Sequence, residues 1–407
     1  MGTKKGYKIV PQVLGLGGAK GLGLLSGLIF MSLASRNLDE ARFSRLLTHL
    51  ASLGFAGIFA STGTMTDWLR RAGKGCPRLA FQALGRRAGL RAGLGFGLYV
   101  LLLVAIRPSL SPSFVLAGLW LLSLPMALAA GPSLLKGDTH SLALAQALGR
   151  IFTLGCALSL YALRVQDPGL WLMAHALGLS AQEGILFWRL PKYLKKAYLG
   201  PPPKDLGMGE LWISLGDLVR SGYHQGAQLL ASMMMGVPFP LFGAPHRLYA
   251  QAGLLPSMMA TIMQGPFSTH RTDQARARLR ALLLPMLAAG ILTSAALAGP
   301  AKIWISLLFP TLEDPSKAAA TLRILALALP FSFIAGILVP YRLARGRDRS
   351  ILLISILGLA FMVIGFCSAQ QPETFAWILV GTEAWILLGS IFLPSPISAF
   401  EISGQDG

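Results

Sequence analysis

Charge is what this 407-residue chain has least of: Asp, Glu, Lys and Arg together make up 13% of it. A soluble globular protein carries about 25%, so a water-facing surface for a chain of this length cannot be assembled from the supply. Acidic residues are scarcer still, 17 against 36 Lys+Arg, for a formal net charge of +19. Cysteine is nearly absent. Cys156 and Cys367 sit in apolar runs and Cys76 in a basic loop, so neither a disulfide framework nor a Cys-rich metal site is encoded. A nucleotide-binding loop is missing too: WLRRAGKG, ending at Gly75, lacks the first glycine and the Ser/Thr of a Walker pattern. What is present is apolar mass, 54% of the chain, with 46 Gly and 25 Pro. That content excludes disorder. It leaves a nucleic-acid binder or a membrane protein, and the placement of the cations decides between them.

One bilayer crossing takes about 20 apolar residues. On that ruler the sequence predicts twelve spans, near 13–34, 46–65, 91–106, 112–131, 141–162, 169–187, 210–234, 240–264, 280–299, 321–340, 350–369 and 374–393. The first follows Lys4, Lys5 and Lys8 but is too long for a signal-peptide core and lacks a small-residue cleavage site. With the N-terminus inside and sides alternating, 24 of the 36 cations fall on inner segments, 7 on outer loops and 5 within spans. This is the positive-inside pattern, and it predicts cytosolic termini. No soluble domain remains to present a groove-binding surface, so a nucleic-acid partner is excluded.

The expected architecture is an all-α polytopic membrane protein with two six-helix lobes around a central cavity. Residues 1–187 form the first lobe, 188–209 a basic cytosolic linker broken by Pro201, Pro202 and Pro203, and 210–407 the second lobe with a short tail. Two pseudo-equivalent lobes are a common transporter plan.

Polar groups inside spans are costly and so mark function or pairing. Lys20 lies ~10 Å into the first span and Arg150 ~13 Å into the fifth, with Gln146 one turn before Arg150. In the seventh span Asp217, Arg220, Ser221, His224 and Gln228 recur at helical spacing as one polar stripe. Arg247 and Gln251 are one turn apart in the eighth, and Glu383 is near the middle of the twelfth. Asp217 and Arg220 could equally form an internal ion pair, and Lys20 could reach the interface as a snorkelling side chain. Lys20, Arg150, Arg220 and Arg247 outnumber the deep acids Asp217 and Glu383, so the expected cavity is basic and suited to an anionic, phosphate-bearing passenger. Asp217, His224 and Glu383 are the candidates for H+ or Na+ coupling. His49, His140, His175, His246 and His270 read as structural.

Two further features complete the reading. Gly85, Gly89, Gly93 and Gly97 recur every four residues, as do Gly17/Gly21 and Gly23/Gly27, and such thinned faces are expected to admit a neighbouring helix or to slide. Asp39–Glu40 in the first outer loop reads as a helix start rather than a catalytic acid pair.

Several stretches carry a family likeness. GLGLLSGLIFMSLASRNLDEA from Gly21, running into FSRLLTH, has the form of a first span, a turn and a second span, with Asn37-Leu38-Asp39-Glu40 where a Gly-Pro turn is usual. APHRLYAQAGLLPSMMATIMQGPF from Ala244 has the Tyr/Arg start and late Pro of an eighth span. KIWISLLFP, then AAATLRILALALPFSF and YRLARGRDRS, has the form of a re-entrant outer loop and tenth span. Together they resemble the oligosaccharide flippases (Wzx type) of the MOP exporter superfamily. The resemblance implies a multi-pass protein of the bacterial inner membrane, not an enzyme and without a cofactor. It would flip polyprenyl-pyrophosphate-linked oligosaccharide for surface polysaccharide biosynthesis, working beside a polymerase and glycosyltransferases. Alternatives are a cation-coupled multidrug exporter of the same superfamily, or a membrane polysaccharide polymerase or glycosyltransferase. The polymerase reading needs a large outer loop that the sequence lacks.

Overall fold

Local chemistry sets where the helices begin. Asp39 lies just before Glu40, and its Oδ1 accepts the backbone N–H of Arg42 at 2.7 Å, which starts a helix as the sequence predicts. Asp167 does the same for the helix at Pro168, accepting from Gly169 N–H at 2.8 Å, and Asp314 for the helix at Pro315, accepting from Lys317 N–H at 2.9 Å. In both cases proline occupies the first helical position, where its missing donor is not needed.

The computed structural model describes residues 9–61, 77–106, 111–130, 139–189, 219, 225–235, 239–269, 272–344 and 348–392. In chain order the helices are α1 (Ile9–Asn37), α2 (Glu40–Ser61), α3 (Pro77–Ile106), α4 (Pro112–Gly118) continuing as a 3-10 helix (Leu119–Ala130), α5 (Thr139–Ala162), α6 (Pro168–Trp188) and α7 (225–235). They continue as α8 (Pro240–Ala252), α9 (Leu254–Thr269), α10 (Thr272–Ala298), α11 (Ala301–Leu308), α12 (Pro315–Ala326), α13 (Leu329–Ala344), α14 (Asp348–Ser368) and α15 (Pro372–Phe392). No strand occurs among the described residues. The all-α polytopic fold expected from composition is what forms, and among the described residues eight stretches are long and apolar enough to cross a bilayer, seven of them single helices and the eighth, Pro315–Leu343, spanning α12 and α13.

Two expected spans are not single helices. The eighth is divided between α8 and α9 by a turn at Gly253, ahead of Pro256. The tenth is divided between α12 and α13 by a turn at Leu327–Ala328, ahead of Pro330. Each proline lacks the N–H that would donate four residues back, to the carbonyl of Ala252 or Ala326, so the helical ladder is interrupted there, and hydropathy does not register the break. The fourth span runs from α-helix into 3-10 helix, with Pro125 inside the latter.

Packing is densest within two sets of helices. α1 lies along α5, α5 along α6, and α2 along α3; separately, α13 packs on α9 and α10, α8 on α12, and α14 on α15. The two sets meet where α1 touches α8, α9 and α11, and where α2 touches α8. Buried aromatics fill both: Phe30 stands edge-on to Trp171 at 5.8 Å, and Phe366 to Phe375 at 4.6 Å. Outward, Leu94, Leu163, Leu284 and Ile364 are each more than 70% exposed, as suits a surface bathed in hydrocarbon.

The glycine runs divide into two kinds. Gly89, Gly93 and Gly97 on α3 face open space, so the expectation of a closely approaching helix fails there. Gly149 does meet one: a Cβ at that position would stand 2.7 Å from the carbonyl oxygen of Gly178, so α5 and α6 touch through backbone.

Candidate functional site

At the end of the bundle where α1 gives way to α2, the two sets of helices are tied together. Ser35 Oγ donates to the carbonyl of Leu308 at 2.8 Å, Arg36 Nη2 to that of Leu307 at 3.0 Å, and Thr311 Oγ1 to that of Ser35 at 2.9 Å. The backbone N–H of Glu313 donates to Glu40 Oε2 at 3.3 Å. Phe43 and Phe309 are buried beneath this latch, their centroids 5.9 Å apart. α11 ends in carbonyls that its own ladder leaves unpaired, and α1 supplies their donors.

Away from the latch the bundle holds a cavity of about 780 Å³, walled by parts of α2, the 3-10 helix, α6, α7, α8, α9, α13 and α15. Its α2 wall runs from Leu50 to Ile58, ~15 to 27 Å from the latch end of that helix.

Four glycines determine what faces whom. On α1, a Cβ at Gly23 would lie 3.5 Å from Arg150 Nε, and one at Gly27 would lie 2.8 Å from Gln251 Nε2. On α2, a Cβ at Gly54 would lie 2.7 Å from Gln225 Oε1, and one at Gly57 would lie 3.3 Å from the Trp120 ring. Gly27 therefore makes room for a polar side chain rather than for another backbone, and Gly23 adjoins Arg150 at ordinary contact distance.

The cations converge from both sets. Arg150 comes from α5 and Arg247 from α8, and both guanidinium groups lie within electrostatic range of His175 on α6. Neither has a carboxylate partner among the described residues. Arg247 Nε and Nη2, Gln251 Oε1 and Gln146 Oε1 are buried without a hydrogen-bond partner among those residues. An orphaned guanidinium beside a cavity is energetically expensive unless an anion completes it. Arg247 and His175 line the cavity directly.

On the facing wall Glu383 of α15 is 1% exposed and accepts a hydrogen bond from Tyr249 Oη at 2.8 Å. Tyr249 Oη also lies 3.1 Å from Ser332 Oγ. All three residues line the cavity, so the Glu383 carboxylate and Arg247 share one chamber.

Of the residues singled out from sequence, Gln146, Arg150, Arg247, Gln251 and Glu383 are placed by the structure, and Arg150, Arg247 and Gln251 come together against α1 and His175. Lys20 lies on α1 between Gly17 and Gly23. Asp217, Arg220 and His224 lie outside the described residues, as does Cys76. His175 and His246, which read as structural in the sequence, lie in the middle of α6 and α8 and line the cavity. Tyr249, Ser332 and Trp120 gave no sequence signal, because aromatics and serines are ordinary in apolar helices. Glu183 on α6 was overlooked although it is an acid within a span: it is buried, takes a hydrogen bond from Gln182 at 3.3 Å, and leaves Oε2 unpartnered among the described residues.

No family model matches the sequence, and no curated protein does so significantly. Solved structures do match. A MATE transporter from Vibrio cholerae superposes with a TM-score of 0.61 at 16% identity, covering 94% of this chain and 95% of that one. A MOP superfamily transporter from Pyrococcus furiosus, noted for the reverse polarity of its binding pocket, gives 0.62 at 14% identity, with 96% and 98% covered. The lipid II flippase MurJ in an inward closed conformation gives 0.60 at 12% identity, with 94% and 87% covered. Over nearly its whole length, the chain has the fold of the MOP superfamily transporters.

Proposed function

We propose that the protein is a flippase that carries a polyprenyl-pyrophosphate-linked oligosaccharide from the cytosolic to the outer leaflet of the bacterial inner membrane. The observation that carries this reading is that Arg150 and Arg247, one from each set of helices, both lie near His175 with no carboxylate partner among the described residues and with Arg247 open to the cavity. Two guanidinium groups offset a pyrophosphate, and their origin in different lobes ties substrate binding to lobe movement. Lys20, ~10 Å from one end of its span, attracts the headgroup at the mouth, and Arg220 adds to the positive field. The prenyl chain stays in lipid while sugar and pyrophosphate cross in the cavity.

In this reading the lobes are residues 1–187 and 210–407, joined by 188–209, and they rock about the cavity. The latch at Ser35, Arg36 and Thr311 lies on the outer side and is shut, so the cavity addresses the cytosol. A proton or sodium ion supplies the driving force, with Glu383 held by Tyr249 as its binding group and Asp217 and His224 as further candidates. One elementary charge moved across 100 mV yields about 2.3 kcal/mol.

The test is a reconstituted leaflet assay. Intact protein in liposomes should move a fluorescent polyprenyl-pyrophosphate sugar between leaflets, and Arg150→Ala or Arg247→Ala should stop it; no movement by the intact protein refutes the reading. A second reading, a cation-coupled multidrug exporter, is favoured by the burial of Glu383 at the cavity wall and by the likeness to MATE transporters. It predicts efflux of organic cations, blocked in Glu383→Gln and indifferent to Arg247→Ala.

A further inference from the structure

The cavity wall has two chemically different parts, and the basic one on α8 leaves the one around α2 unexplained. Around Gly54 and Gly57 of α2 the wall is Leu50, Leu53, Ile58, Trp120 and Gln225, without a charged side chain among them. Trp120 comes from the 3-10 helix and lies across Gly57, and Gln225 from α7 lies across Gly54 one turn away. The side chains that would otherwise separate the indole and amide from the chamber are missing at those two positions. Trp120 Nε1 is buried and has no acceptor among the described residues. Gln228, one turn along α7, also reaches the cavity, using its Nε2 on the carbonyl of Gly243 at 3.5 Å.

An aromatic face with an unspent N–H, flanked by two primary amides and no charge, is poorly matched to an anion, which needs cations, and to a hydrocarbon chain, which would leave the N–H unpaired. It is well matched to a neutral polyol ring. The C–H face of a pyranose packs on indole, the indole N–H donates to a ring hydroxyl, and each glutamine amide both donates to and accepts from neighbouring hydroxyls. We propose that Trp120, Gln225 and Gln228 form a carbohydrate subsite that reads the first sugar of the substrate while Arg150 and Arg247 hold its pyrophosphate. This deepens the flippase reading and rests on it. Gly54 and Gly57 are positioning residues for the subsite. Its contacts come from the 3-10 helix on one side and α7 on the other, so a bound sugar lies between them against the glycines of α2.

Two short-chain probes in detergent test it: farnesyl pyrophosphate, which lacks sugar, and farnesyl pyrophosphate carrying an N-acetylglucosamine-based disaccharide, with binding followed by thermophoresis. The intact protein should bind the glycosylated probe about tenfold more tightly than the bare one, the effect of one stacked ring with its hydrogen bonds. Trp120→Ala should reduce that ratio to within about twofold while leaving affinity for farnesyl pyrophosphate unchanged, which also shows the variant is folded. Gln225→Ala, a milder change, should narrow it part way, and Trp120→Phe should keep most of it. Equal affinity of the intact protein for both probes, or an equal loss of both in Trp120→Ala, overturns the subsite and leaves the cationic site standing. If the intact protein binds neither probe, the flippase reading falls together with the subsite.

Discussion

A Cβ on Gly27 would stand 2.8 Å from Nε2 of Gln251, so a residue of α1 and a residue of α8 share one volume that only glycine leaves open. One turn away a Cβ on Gly23 would make an ordinary van der Waals contact with Arg150 Nε, at 3.5 Å. The glycine face of α1 is thus the floor on which the polar side chains from both sets of helices rest. Gly27→Val should displace Gln251, with Arg247 one turn before it on the same helix, and lower leaflet transfer by about tenfold or more, while membrane insertion stays normal. Immunoblotting of the membrane fraction beside the transfer assay checks both halves of the expectation.

In the proposed site, arginine serves at positions 150 and 247 through its fork as well as its charge. Loss of a hydrogen bond to a charged group costs about 1.5–3 kcal/mol. Arg247→Ala should therefore weaken binding of farnesyl pyrophosphate by roughly 10- to 100-fold, and Arg247→Lys should recover only part of it. Titration of the two variants against the same probe separates charge from geometry.

The latch provides a trap. Thr311 Oγ1 lies 2.9 Å from the carbonyl oxygen of Ser35, which brings α1 and the segment after α11 into disulfide range. With Cys76, Cys156 and Cys367 replaced by serine or alanine, Ser35→Cys with Thr311→Cys should cross-link under oxidation. Transport should stop in the oxidised protein and return on reduction. Gel mobility under the two conditions reports the bond, and transport that continues in fully cross-linked protein would rule out opening at this end.

In the proposed coupling scheme, Glu383 and Tyr249 separate binding from energy coupling. Glu383→Gln keeps an acceptor for Tyr249 Oη but removes the ionisable group. Downhill transfer should persist in it, whereas the stimulation produced by an imposed ion gradient should vanish. The measurement is transfer rate with and without the gradient in the same liposomes. Tyr249→Phe should retain gradient sensitivity at a reduced rate.

Asp167 is a structural prediction rather than a functional one. It caps α6 through Gly169 and also accepts from Ser113 Oγ at 3.1 Å, joining the starts of α4 and α6. Asp167→Ala should cost about 1 kcal/mol and lower the melting temperature in detergent by a few degrees without changing probe affinity.

What the sequence discloses follows from what hydropathy measures. It finds segments that leave water, so the helices from α1 to α15 fall on apolar runs, and Asp39 announces α2 through a local hydrogen bond. It does not tell lipid from protein, because both sides of a transmembrane helix are apolar. Gly89, Gly93 and Gly97 therefore looked like Gly23 and Gly27, yet the first set faces outward and the second meets Arg150 and Gln251. Rare charges in spans were legible one by one, which is how Arg150, Arg247 and Glu383 emerged. Their partners were not. Tyr249 and Glu383 are 134 positions apart, and nothing local in either helix records their meeting. His175 was set aside for the same reason: its significance lies in Arg150 and Arg247, which the fold brings to it from other helices.

The latch has a chemical character that bears on how fast such a gate can work. Every bond in it runs from a hydroxyl, a guanidinium or a backbone N–H to an oxygen, and each can be exchanged for a bond to water with little net change. Phe43 and Phe309 beneath it are the part that resists wetting. In the proposed cycle, hydration is therefore the unlocking agent at the polar rim, and the aromatic pair sets the barrier. Polar side chains at those two ring positions would leave the gate ajar, and the membrane leaky to small solutes.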